Sequence, residues 1–270
     1  MRVEDTSFIK EFQKITNDAW LKGWHERNGG NISYRLTRDE VELIKQDINE
    51  NSDWIDIGET LTNLSNEIFL VTGSGKFIRN INIHLQENCG LIQMDATGQH
   101  YRIIWGLLNA KPTSELPTHL RSHAVKKELD NDYRVIMHAH TTNIIALTFI
   151  LPLEDKVFTR ELWEMATECP VVFPNGVGVI DWMVPGGHAI GKETEKLMEE
   201  YDVVIWAHHG LFVAEKSLDL AFGLMDTVEK SAQILVKVLS MGGKRQTITS
   251  NDFKELAEDF KVRLPNKFLD

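Results

Sequence analysis

Strand-length apolar runs alternate with helical stretches along this chain, and that order leaves few architectures open. The opening stretch FIKEFQKITNDAWLKGW places Phe8, Phe12, Ile15, Ala19 and Trp20 near one helical stripe and stops at the turn-forming RNGGN. A strand follows at ISYRL. Residues 37–67 are polar and acidic with weak periodicity and read as an irregular excursion. Next come a strand at IFLVT, a glycine turn at GSGK, and a hairpin from LIQMD to YRIIW through ATGQH. PTSELPTHLRSHAVKKEL reads as a helix capped by Thr113 or Ser114, with Glu115 in its first turn. YRVIMHAH is a strand leading into the helix TTNIIALTFI, and further strands are expected at CPVVFP and DVVIWAHHGLFV. A last long helix after Ser217 carries Ala221, Phe222, Met225, Val228, Ala232, Leu235 and Leu239 on one stripe. Strands interleaved with helices indicate a layered α/β fold.

With 270 residues the chain is long enough for a sizeable core, and one domain over 1–270 is the expectation. No run approaches the ~18 apolar residues of a membrane span, and MRVEDTSFIKEF has charges where a signal peptide needs apolar residues. Cys89 and Cys169 are too few for a disulfide framework, so a reducing cytoplasm is expected. A net charge of -11 with no basic stripe excludes a nucleic-acid partner and leaves a small anion in a local pocket.

Histidine supplies the first chemical signal. In VIMHAH, strand alternation puts His138 and His140 on one face with Ile136, while Val135, Met137 and Ala139 take the other. Two imidazoles side by side suit a divalent metal. The run VVIWAHHG delivers His208 and His209, of which alternation allows only one into a shared site without choosing between them. His138, His140 and one of this pair make a plausible three-nitrogen zinc site with an open position. A rival set lies on the helix after Pro112, where Glu115, His119 and His123 share a face at spacing four. It lacks the His-Glu-x-x-His order of zinc proteases. His25, His84, His100 and His188 lie in polar or turn-like contexts and carry no signal.

Three short segments offer groups to a phosphate. VTGSGKF is similar to a P-loop, but Phe77 stands where that motif needs Ser or Thr, so nucleotide hydrolysis is not expected. Its glycine turn still presents backbone N–H groups and the Ser74 hydroxyl. NGGN at 28–31 and TSE at 113–115 present similar groups, the latter at a helix N-terminus that favours anions. Together they point toward a phosphate pocket.

The runs AWLKGWHERNGGN, VTGSGKF, PTSELPTH, VIMHAHTTNIIALT, FTRELWEMATECPVVFPNGVG, WMVPGG and AFGLMDTVEKSAQILVKVLSMGG resemble the class II aldolase family, over residues 8 to 248. The resemblance implies one three-layer α/β/α domain with a central mixed, mostly antiparallel sheet, one zinc ion per subunit, and a homotetramer with active sites between subunits. It implies His138, His140 and His209 as metal ligands, with His208 a bystander, and Glu115 as catalytic acid/base near the metal. It further implies Asn28, Gly30, Asn31, Ser74, Gly75, Thr113 and Ser114 as holders of the substrate phosphate and hydroxyls, and Glu168 as an acidic residue reaching a neighbouring subunit's site.

The activity it implies is retro-aldol cleavage of L-rhamnulose 1-phosphate to dihydroxyacetone phosphate and L-lactaldehyde, within the catabolism of L-rhamnose. That cleavage leaves negative charge on C3, tolerable only if the neighbouring C2 carbonyl oxygen takes it up under a Lewis acid. A carboxyl of raised pKa must then protonate C3. Alternatives within the family are a fuculose-phosphate aldolase and a pentose-phosphate 4-epimerase. Outside catalysis, the alternative is a metal-free, adducin-like interaction module, against which Glu115, His138, His140 and His209 stand.

Overall fold

The structure is a computed structural model that describes all 270 residues. Its nine strands are β1 (Asn31–Arg35), β2 (Ile55–Asp56), β3 (Ile68–Thr72), β4 (Cys89–Met94), β5 (His100–Gly106), β6 (Val135–Ala139), β7 (Gly178–Ile180), β8 (Val203–Trp206) and β9 (Gly210–Glu215). They form one sheet in the order β2-β5-β4-β3-β1-β6-β9-β8-β7. All neighbours are antiparallel except β7 and β8, whose parallel pairing needs a crossover, supplied by helix His188–Met198.

Strand alternation sorts the core into two sides, giving a three-layer α/β/α arrangement. Ile68, Leu70, Met137 and Val213 pack with Phe12 and Ile15 of helix Ser7–Leu21, Leu162 of helix Asp155–Trp163, and Leu235 of helix Leu218–Ser240. On the other face, Phe69 and Val71 meet Leu116 and Leu120 of helix Leu116–Leu129, while Ile136, Val204 and Phe212 meet Ile190 and Met198 of helix His188–Met198. Each such large apolar side chain, fully buried, contributes on the order of 1.5–3 kcal/mol. The two sides leave the ends of the strands as the place for polar chemistry. No helix is long and apolar enough to cross a membrane.

Four local expectations give way. CPVVFP is not a strand: Cys169–Val172 is a short helix, because Pro170 falls in its first turn, where a missing N–H costs nothing. DVVIWAHHGLFV is two strands rather than one, since Ala207, His208 and His209 form a turn between Trp206 and Gly210, with His208 left-handed at φ 61. The span 37–67 contains helix Arg38–Ile44, started by a reciprocal Thr37/Glu40 capping box, and the edge strand β2. The cap of helix Leu116–Leu129 is Glu115 itself, not Thr113 or Ser114, although the Thr113 hydroxyl accepts from the Glu115 N–H at 3.3 Å.

Candidate active site

The sheet brings one end of four strands together. Asn31 at the start of β1 pairs with His138 near the end of β6, and Ala139 pairs with Leu211 just past the β8–β9 turn. The Thr72 hydroxyl at the end of β3 accepts from the Ile32 N–H at 3.2 Å.

His138, His140 and His209 meet there, each offering a ring nitrogen, with those atoms within 4.8 Å of one another. His138 is fully buried, and its Nδ1–H donates to the Leu211 carbonyl at 3.1 Å, which fixes the tautomer and leaves Nε2 a bare lone pair. That Nε2 has no hydrogen-bond partner. Just past β6, the His140 ring donates from Nδ1 to the Glu26 carboxylate at 2.5 Å, so its Nε2 is also free. Burial pushes His138 far below the ordinary histidine range and His209 down to about 4, and the neighbouring rings add to both shifts. Three imidazoles whose ring nitrogens converge, one of those nitrogens orphaned in the interior, fit a zinc-type metal ion. The Glu26 carboxylate behind His140 is the kind of support such ligands have. His208 turns away: its Nδ1 meets the Thr148 hydroxyl at 3.0 Å and its ring packs on Phe149.

Two glycines make room for the cluster. A Cβ on Gly210 would lie 2.3 Å from the Ala139 carbonyl oxygen, and one on Gly29 would lie 2.7 Å from His140 Nδ1. Gly30 has φ +73, and a side chain there would strike the His25 ring at 2.2 Å.

Glu115 stands beside the cluster, its Oε2 3.7 Å from His138 Nε2. The same oxygen accepts from the Asn31 amide at 2.7 Å. Burial raises the Glu115 carboxyl above its ordinary pKa, against the opposing pull of the Asn31 donor and of His140. His119 and His123 do not join Glu115 around a metal: both turn to the Ser33 hydroxyl, at 2.7 and 2.8 Å, so the rival ligand set does not form.

Residues 10–236 match the family described as Class II Aldolase and Adducin N-terminal domain. The chain belongs to the class II aldolase and adducin family. It is 54% identical over 257 residues to the rhamnulose-1-phosphate aldolase of Mannheimia succiniciproducens, covering 94% of each chain. To that of Klebsiella pneumoniae it is 47% identical over 268 residues, covering 98% of this chain and 97% of the other. The fold is similar to that of a sugar-phosphate aldolase from Thermotoga maritima, with a TM-score of 0.75 at 30% identity over 88% of this chain and 97% of that one. It is also similar to an L-fuculose 1-phosphate aldolase, at TM-score 0.62 and 20% identity over 96% and 98%, a likeness of fold alone. Within the class II aldolase family this chain is therefore an aldolase, a lyase.

The remaining residues that the sequence singles out fall in distinct places around this aldolase cluster. Ser74 and Gly75 are exposed on a turn joined to the Thr113–Ser114 loop, because the Ser74 N–H donates to Lys111 at 2.8 Å and the Thr113 N–H to Thr72 at 2.9 Å. Ser114 is exposed and Thr113 buried. Asn28 is exposed and Gly30 half-buried on the loop that packs on His140 and His25. Asn31 is buried, and its amide is engaged by Glu115 and His119. Glu168 caps the short helix Cys169–Val172 with its side chain exposed, and that side chain makes no hydrogen bond or ion pair within its own chain.

Sequence reasoning passes over three contributors. His25 is buried, not turn-exposed: its Nδ1–H donates to Gly29 at 3.1 Å, which folds the glycine loop back on the ring. Glu26 backs His140, and Thr148 holds the β8–β9 turn by accepting from the His208 N–H at 3.0 Å. WHERNGG carries the first two adjacent to the glycines, a signal visible only once the loop is known to close on a histidine.

Proposed function

We propose that this chain cleaves L-rhamnulose 1-phosphate between C3 and C4 to dihydroxyacetone phosphate and L-lactaldehyde, with one zinc ion held by His138, His140 and His209. The observation that carries the reading is the buried, unpartnered Nε2 of His138, facing two further imidazoles and 3.7 Å from Glu115. The substrate is taken from the printed function of relatives that match nearly the whole chain.

Zinc bound there supplies Lewis-acid stabilisation of the charge released onto the substrate when the C3–C4 bond breaks. Glu115 gives its proton to C3 as the bond's electron pair arrives there, and in the synthetic direction takes that proton from dihydroxyacetone phosphate. Burial suits Glu115 to this task by raising its pKa toward the working range. A second base must accept the proton of the C4 hydroxyl as the aldehyde forms. Glu168 of an adjacent subunit fills that role in this reading, its carboxylate being exposed and unpaired within its own chain. The Asn28–Gly30 loop, Ser74, Gly75, Thr113 and Ser114 hold the phosphate and hydroxyls with amide and hydroxyl donors, and Asn31 belongs to the same group. This route requires no lysine Schiff base. The reading further takes residues 1–270 as one domain, the assembly as a homotetramer and the setting as cytoplasmic breakdown of L-rhamnose.

A panel of ketose 1-phosphates assayed for release of dihydroxyacetone phosphate, with and without chelator, tests the reading. Release from L-rhamnulose 1-phosphate, abolished by chelator and restored by zinc, is the expected result. Preferred cleavage of another stereoisomer, or inversion without cleavage, overturns the substrate assignment.

A further inference from the structure

A buried ladder of polar side chains runs inward from Glu115. Glu115, His119 and His123 recur every four residues along one helix face, a step of about 6 Å. Asn31 and Ser33 alternate on the facing side of β1, a step of about 6.6 Å. The near-equality of the two steps lets helix and strand interlock, in the order Glu115, Asn31, His119, Ser33, His123. All five residues are buried.

The direction of every hydrogen bond in this ladder follows from the charge on Glu115. In its ionised form the carboxylate only accepts, so the Asn31 NH2 points at Glu115 and the Asn31 carbonyl oxygen points at His119. That oxygen needs a donor, so His119 carries its proton on Nε2 and leaves Nδ1 bare. Nδ1 then accepts from the Ser33 hydroxyl, and the Ser33 oxygen accepts in turn from His123 Nε2–H. Burial holds His119 down to about 3 and His123 well below the ordinary range, so both rings stay neutral and the pattern is single-valued while Glu115 is ionised.

We infer that His119 is a positioning residue for Glu115, acting through the Asn31 amide, with Ser33 and His123 locking its tautomer. The inference rests on the reading of Glu115 as the proton carrier. Without the His119 donor, the Asn31 amide is free to turn its oxygen toward the carboxylate, and Glu115 loses the contact that sets its approach to His138 and to the substrate carbon. Misplacement of a reacting group by ~1 Å can lower turnover by ~10²-fold.

The test compares His119→Leu, His119→Gln, Ser33→Ala and Glu115→Gln as zinc-loaded holoenzymes. It measures kcat, KM, zinc content, Tm and exchange of the C3 hydrogen of dihydroxyacetone phosphate with D2O, a step that needs the proton carrier but no aldehyde. His119→Leu should lose roughly 10- to 100-fold in both kcat and exchange, with KM within about twofold and zinc retained. His119→Gln, whose amide can donate from nearly the same position, should recover most of that loss. Ser33→Ala, the milder change should His119→Leu fail to fold, should lower kcat and exchange several-fold at unchanged KM. Normal exchange in folded, zinc-loaded His119→Leu or Ser33→Ala, while Glu115→Gln has lost it, overturns the inference and leaves the role of Glu115 standing. Losses that track falling zinc or Tm, or that His119→Gln does not repair, reduce the ladder to packing and also overturn it. Normal exchange in Glu115→Gln removes the underlying reading instead.

Discussion

At Glu115 burial and hydrogen bonding act in opposite directions, and burial wins. The carboxyl is raised by its desolvation while the Asn31 amide and His140 favour its charged form, so the group is both held in place and ready to carry a proton. Glu115→Gln keeps the shape and the Asn31 neighbour but removes the proton. Turnover should fall about 10²- to 10⁴-fold with zinc content near that of the parent, read by steady-state kinetics beside metal analysis. If the metal leaves instead and turnover returns with added zinc, Glu115 is a ligand. The histidines divide differently. His138→Ala, His140→Ala and His209→Ala should each lose zinc, whereas His208→Ala should retain it, because the His208 ring is occupied by Thr148 and Phe149. Glu26→Gln weakens the support behind His140 and should lower zinc affinity ~10- to 100-fold, measured by competition with a chromogenic chelator.

Among elements, the β8–β9 hairpin is tightly constrained where β9 begins. Gly210 opens β9 with the Ala139 carbonyl oxygen 2.3 Å from where a Cβ would stand, and the His138 ring at 3.0 Å. Gly210→Ala must separate β9 from β6 at the point where His138 on β6 meets His209 just before β9, so a drop in Tm should accompany loss of zinc; unchanged values in both would refute this account of the turn. Helix Leu116–Leu129 makes stability depend on pH. His119 is held at about 3, far below the unfolded value near ~6.5, so the unfolded chain binds a proton that the folded one refuses. Its contribution is intact above ~6.5 and declines as pH falls toward about 3, by ~1.4 kcal/mol per pH unit. His25, also at about 3, adds a second such slope. Chelator-treated protein should therefore unfold progressively more easily between pH ~6.5 and ~4, and His119→Gln should flatten the curve by one share. The same elements show what a reader of the sequence can reach. β1, β3, the β4–β5 hairpin and β6 are legible because period two and glycine turns bound them, and the pairing of His138 with His140 follows from that period. The turn at Ala207–His209 has no Gly, Pro or Asn to announce it, so alternation runs straight through it and cannot choose between the two histidines. Val171, Val172 and Phe173 look like a strand until Pro170 is counted as a helix-starting residue. The Asn31–His119 contact depends on the register of a helix against a strand far away in sequence, which no local pattern contains.

Over the whole molecule, the proposed assembly gives meaning to surfaces that one chain leaves open. Phe149, Ile150, Trp182 and Val184 are 61–70% exposed in the single chain, and the proposed assembly would give such side chains a surface to meet. Glu168 lies exposed on its short helix without a partner in its own chain. If it serves a neighbour's site, Glu115→Ala and Glu168→Ala chains are each inactive alone but regenerate activity when co-assembled, with about one interface in four intact in a closed head-to-tail ring. Co-expression with differently tagged chains measures this, and verified hybrids no more active than their parents would exclude the shared site. The strand order has a further effect in time. Two of the three imidazoles are on or just past β6, but the third follows β8, most of the way along the chain. A polypeptide whose synthesis has not reached residue 209, or one cut short before it, has only two of the three imidazoles. Capture of the ion by all three imidazoles is thereby reserved for chains whose synthesis has passed His209, so the metal can report that the polypeptide has reached the turn before its last strand.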